Sequence, residues 1–177
     1  MLSEAVIQSY ISQVIEAAAN PAAFDAACRT TPAFAEELYR YFAQHESEST
    51  LYSNVGKPFT EIQVNLIEKK WQDEYWWGPA YLSIKISKLA PVFSCEKVMM
   101  QLDHSIEGSE LNSWQYLAGE GEEAVQEAVN SLSLAAGFSR LINELKQDVD
   151  TGALPLNAHY RKWKPTVYSV FFERLII

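Results

Sequence analysis

The spacing of apolar residues changes twice along this chain, and that change excludes both an all-helical and an all-sheet fold. Over residues 3–19, Val6, Ile7, Tyr10, Ile11, Val14, Ile15 and Ala18 recur at helical spacing on one stripe. In the middle of the chain the period drops to two. Leu82, Ile84 and Ile86 alternate with Ser83, Lys85 and Ser87, the pattern of a half-buried strand. From Glu122 onward the helical period returns. This order predicts an α+β fold, with a mainly antiparallel sheet of three to five strands and helices packed on one face. At 177 residues the chain reads as one domain over 1–177, long enough to bury a core without staples.

The punctuation of the chain divides these periods into elements. Ser3 stands where it can cap the first helix, and Asn20-Pro21 ends it, because proline disfavours helical backbone at the residue before it. A short helix is expected around 22–29, burying Phe24 and Cys28. A third starts with Thr31 as N-cap and Pro32 at the first helical position, with Phe34, Leu38, Tyr41 and Phe42 on one face. The polar stretch 45–56 reads as a loop. Ile62, Val64 and Leu66 alternate with Glu61, Gln63 and Asn65, which suggests a strand, with a helix over 60–72 as the rival reading. Strands over 81–88 and 92–102 are joined by the Leu89-Ala90-Pro91 turn and should pair antiparallel. Residues 103–121 look like loop.

Between 122 and 149 the apolar stripe changes sides. Val125, Val129, Leu132 and Ala136 share one face of a helix, whereas Phe138, Leu141, Ile142, Leu145 and Val149 share the opposite one. Either the chain breaks or kinks near Gly137, or one long helix is sandwiched between two apolar surfaces; the break is the favoured reading, since glycine is costly inside a helix. The β-branched and aromatic run 167–177 reads as a last strand, buried on both faces.

Charge follows these elements. Residues 1–50 hold seven acids and two bases, and residues 103–150 hold ten acids and two bases. Residues 51–102 hold five acids and six bases, and residues 151–177 one acid and four bases. The chain as a whole carries −9. Acidic helices on a neutral to basic sheet disfavour bare nucleic acid and anionic membrane, and favour a basic protein partner.

No pattern that carries chemistry stands out. Asp103-His104-Ser105 spells three triad residues, but neighbours along an extended chain point in alternate directions and cannot form a triad. His45, His104 and His159 lack a second ligand at metal spacing, and Cys28 and Cys95 read as two buried thiols rather than a disulfide. Gly119-Glu120-Gly121-Glu122-Glu123 resembles a phosphate loop only in its glycines, since its three carboxylates would repel the phosphate. The stretch 159–164 interleaves bases and aromatics as a nucleic-acid contact does, yet it is short and sits in an acidic chain. Among the paired carboxylates, only Glu144 and Asp148 would be neighbours on one helix. No cofactor, metal or catalytic group is therefore expected.

Trp71, Tyr75, Trp76 and Trp77 cluster next to Asp73 and Glu74. Large aromatics beside acids suit a hot spot for a basic partner, and wedging beneath the helices is the alternative. The expected contact residues are Trp76 and Trp77 as anchors, with Asp103, Glu107, Glu110, Glu120, Glu122 and Glu123 steering the approach. An acidic, motif-free domain of this kind is expected to be a non-enzymatic interaction module of the bacterial toxin-immunity type. A secretion chaperone is the rival within that class. An enzyme or small-ligand-binding domain with a dispersed site is the rival outside it. The N-terminus shows no signal-peptide pattern and no run reaches the length of a membrane span, so the cytoplasm is the expected compartment.

Overall fold

The computed structural model describes residues 3–44, 49–65, 80–100, 114–115, 122–142, 146–151, 156, 160 and 164–174. Three helices come first: α1 (Glu4–Ala18), α2 (Pro21–Arg29) and α3 (Ala33–Gln44). α1 buries Ile7, Ile11, Val14 and Ala18, the stripe its spacing predicts. Ser3 is its N-cap residue in extended backbone, but the hydroxyl makes no capping bond. Asn20 and Pro21 do double duty. They close α1 and open α2, where the Asn20 side chain accepts from the Ala23 amide and Pro21 takes the first helical position.

The sheet comes next as β1 (Ser49–Tyr52), β2 (Phe59–Asn65), β3 (Ala80–Ser87), β4 (Val92–Met100) and β5 (Trp114–Gln115), antiparallel neighbours in that order. β3 and β4 pair as the turn at 89–91 requires, with Ile84 opposite Cys95 and Ile86 opposite Phe93. β2 settles the choice over 60–65 in favour of strand, and it pairs with β3 along its whole length.

Several expectations need correction. The stretch 45–56 is not all loop, because β1 pairs with β2 and sets Leu51 opposite Ile62. Its turn is made by Asn54 and Gly56, both at positive φ, with the Lys57 amide donating to the Asn54 carbonyl at 2.9 Å. Four residues with one aliphatic side chain show too little alternation to be read as a strand without their partner. Within 103–121, Trp114 and Gln115 pair with Met100 and Met99. The run 167–177 is not a strand where it is described: Val167–Phe172 forms helix α5, opened by a capping box in which Thr166 and Ser169 each bond the other's backbone amide. Val167, Val170, Phe171 and Phe172 are all buried. A short run apolar on every side looks the same to periodicity in a buried strand and in a buried helix.

The break at Gly137 is present. α4 (Glu122–Ala135) ends with Gly137 at φ 79°, the Phe138 amide on the Ser133 carbonyl (2.8 Å) and the Gly137 amide on the Leu134 carbonyl (3.0 Å). These two bonds are a Schellman closure. The chain beyond forms no second α-helix over its described residues up to Val149, where Lys146 alone is in a 3-10 turn. Ser139–Arg140 (β6) runs parallel to the start of β4, and Asp148 pairs with Thr166 in an isolated antiparallel bridge. Leu141 and Val149 are buried, but Ile142 is 59% exposed and does not share their surface.

Helices meet both sheet faces rather than one. Thr60, Ile62, Val64, Leu82, Ile84, Ile86, Phe93 and Cys95 lie on one face by register. All but Thr60 form a core with Phe34, Ala35, Leu38 and Phe42 of α3 and Val129 of α4, with Val125, Leu132 and Phe138 packed against it. A second core joins Ile7, Ile11 and Val14 of α1 to α5, Phe59, Val92 and Leu141. The stripe of α4 and Leu141 therefore do serve different surfaces, while Leu145 lies outside the described residues. Cys28 and Cys95 are both buried and are not joined in a disulfide.

Candidate protein-interaction surface

α3 and α4 lie side by side on the same sheet face, and each turns its acids outward. α3 needs Phe34, Leu38 and Phe42 inward to cover the sheet, which leaves Glu36, Glu37 and Arg40 exposed. α4 turns Val129 and Ser133 inward and leaves Glu123, Glu127 and Asn130 exposed. The Arg40 Nε donates to the backbone oxygen of Glu36 at 3.3 Å. Arg140, the base just beyond α4, is turned inward: Nη1 donates to Gln126 Oε1 (2.9 Å) and Nη2 to the Cys95 carbonyl (2.8 Å). Glu36, Glu37, Glu123 and Glu127 thus project to solvent from one layer, and none of them forms an ion pair among the described residues.

Between the two helices lies an open groove of about 230 Å³, lined by Phe34, Glu37, Leu38, Leu132, Ala135 and Ala136. Its floor is apolar and its one charged lining residue is Glu37. Phe34 is stacked on Phe138, with ring centroids 4.7 Å apart. Leu134, next to Ala135 in the chain, is 74% exposed.

Of the expected contact residues, Trp76, Trp77, Asp103, Glu107, Glu110 and Glu120 lie outside the described residues, as do His45, His104, His159, Trp71, Tyr75 and Glu144. Glu122 is the first residue of α4, and Glu123 is exposed in its first turn, where carboxylates complement the helix dipole. The structure adds the exposed Glu36, Glu37 and Glu127 to Glu123 on the α3–α4 layer. Their outward placement was readable from the helical stripes, but the adjacency of α3 and α4 was not, since strands β1 to β5 separate them in sequence. In the basic stretch 159–164, Tyr160 is 8% exposed and belongs to the core around α5, so its ring is not free to stack on a base.

The opposite sheet face carries a polar cluster. Glu61 faces Lys85 and Gln63 faces Ser83 across β2 and β3, and Lys85 faces Ser94 across β3 and β4. Glu61 Oε1 accepts from Ser83 Oγ (2.6 Å) and Gln63 Nε2 (3.1 Å). Lys85 Nζ donates to Tyr168 OH on α5, and it lies 5.1 Å from the Tyr168 ring centroid and 5.8 Å from that of Phe59. Burial is the largest single influence on Lys85 and pulls its pKa down. The Tyr168 hydrogen bond and the Glu96 and Glu61 carboxylates together outweigh it, so the pKa ends above the ordinary lysine value. An ammonium held charged in this way pins α5 to the sheet. It is the reverse of the depressed pKa an amine nucleophile requires.

Lys88 makes a second tie, donating to the carbonyls of Cys28 (2.5 Å) and Asn54 (3.2 Å). Burial lowers its pKa, and it raises that of the Cys28 thiol despite the nearby lysine. Among the described residues, no group of three His, Cys, Asp or Glu side chains is placed to hold a metal ion, and no helix is long and apolar enough to cross a membrane. Comparison with known proteins returns no match, whether to a protein-family model, a curated protein or a solved structure.

Proposed function

We propose that this chain is an acidic protein-interaction module that binds and neutralises a basic protein partner in the cytoplasm, in the manner of a bacterial toxin-immunity protein. The observation that carries this reading is the α3–α4 layer, where four carboxylates point outward, Glu37 among them at an apolar groove, and Arg40 is the one exposed base on the two helices. Acids without internal partners raise the rate of encounter with a basic surface, and an apolar contact that loses water slows release. The same charge opposes nucleic acid, whose affinity for proteins rests largely on phosphate neutralisation.

The test starts from a partner captured from the native cell and purified. Its association with the intact chain is measured across a salt series, beside that of the Glu123→Lys/Glu127→Lys variant, and its own toxic activity is assayed with and without the chain. The reading expects a basic partner, loss of its activity on binding, and an association rate lowered about tenfold or more by the double reversal at low salt. A partner of neutral or acidic surface, or an association indifferent to salt and to both reversals, refutes it.

A further inference from the structure

We infer that the groove between α3 and α4 seats one face of a basic amphipathic helix of the partner, an inference that rests on the reading of this chain as a module for basic proteins. The groove is the hollow left between two adjacent helices laid on a sheet, and a third helix fills such a hollow by packing its side-chain ridges along it. Ala135 and Ala136 leave one wall low, so that a backbone can come close. An extended strand laid over Phe34, Leu38 and Leu132 would press its amides and carbonyls onto side chains that offer no hydrogen bonds, whereas a helix satisfies its own backbone.

Charge narrows the occupant further. Glu37 lines the groove, and Glu36, Glu123 and Glu127 are exposed elsewhere on the two helices that form it. A helix with apolar residues at i, i+3 or i+4 and i+7, flanked by lysine or arginine, meets the apolar floor and Glu37 together, and the other exposed acids of the two helices draw it in. A second copy of this chain would bring like charges against like, and an anionic lipid surface would be repelled.

The test uses two fluorescein-labelled synthetic peptides of identical composition, each about 18 residues or five helical turns long. In one, leucines fall at helical spacing among lysines. In the other the order is scrambled so that no apolar stripe forms. Each is titrated with the intact chain by fluorescence anisotropy at low salt. The expected result is a patterned peptide that binds at least about tenfold tighter than the scrambled one, a difference of roughly 1.4 kcal/mol. Ala135→Trp, a change at an exposed position that fills the groove and adds no charge, should abolish the preference and leave the weak scrambled-peptide binding as it was. Glu37→Lys should weaken both peptides, and circular dichroism melts confirm that each variant is folded. Equal binding of the two peptides by the unaltered chain overturns the helix seat and leaves the acidic-module reading standing. A preference that survives Ala135→Trp overturns the placement in this groove. Binding of neither peptide overturns the seat and the acidic-module reading together.

Discussion

Lys85 Nζ donates to the hydroxyl of Tyr168, and this bond joins the central strand β3 to α5 across 83 residues of chain. It lies on the sheet face opposite the α3–α4 core, where Glu61, Glu96 and the rings of Phe59 and Tyr168 surround the ammonium. Removing the hydroxyl by Tyr168→Phe should cost about 1.5–3 kcal/mol, the range for a hydrogen bond to a charged group. Urea unfolding of the two proteins measures it, and an unchanged midpoint would show that the ammonium finds an equal partner elsewhere.

The pH dependence of this tie has a definite sign. The folded pKa of Lys85 lies above its ordinary value, so its stabilisation is complete below that ordinary value, about 10.4, and is lost as pH rises through the folded pKa. The stability difference between the parent chain and Lys85→Met should therefore be flat from pH 7 to about 10 and shrink above it.

Lys88 should behave in the opposite sense. Its folded pKa is lowered by burial, so the folded state becomes relatively more stable as pH rises from the lowered value toward about 10.4. A series of denaturant melts on Lys88→Met and the parent should show the parent gaining on the variant in that window. A difference that falls with pH there would place the Lys88 ammonium in a better-compensated site than its two carbonyl partners provide.

Gly137 sits at φ 79° with open space where a Cβ would project. Its substitution thus meets a backbone cost and no clash. Gly137→Ala should lose about 1–2 kcal/mol of stability, and Gly137→Asn less, because asparagine tolerates the left-handed region. Thermal or urea melts that show no loss for alanine would mean that the Schellman closure is not what ends α4.

Ile84 and Leu134 give the contrast between core and surface. Ile84 is fully buried beneath α3 and α4, so Ile84→Ala should cost about 2–5 kcal/mol. Leu134→Ser should leave stability within about 0.5 kcal/mol. The serine variant should also weaken binding of the captured partner, chiefly through faster release. If it binds as the parent does, Leu134 is no part of the contact.

How much of this was legible in the chain depends on how far each signal reaches. The stripe of α1, the strand period of β3 and the stop at Gly137 are local patterns, and the structure agrees with them, although β3 is not half-buried as its alternation suggests, since Ser83 and Ser87 are buried as well. The side switch between Val129 and Leu141 was legible as two surfaces, but the course of the chain beyond the break was not. A Schellman closure releases the chain in a direction that sequence spacing does not record, and here it meets the start of β4 as β6. The groove was illegible for a similar reason. Phe34 and Leu132 are separated by the whole sheet in sequence and become neighbours only because α3 and α4 share one apolar face.

Spacings of a few residues suffice to locate the helical period of α1 and the alternating period of β3, to tell which residues of each early helix face outward, and to show that those outward faces are acidic. Tertiary structure alone decided that Ser49–Tyr52 is a strand and Val167–Phe172 a helix. A four-residue segment gains its hydrogen bonds only from a partner strand, and an apolar run takes its form from the surface that buries it. The pairing of α3 with α4 was decided there too. Burial of apolar area is non-directional, and it brings together whichever covered faces the sheet can accept.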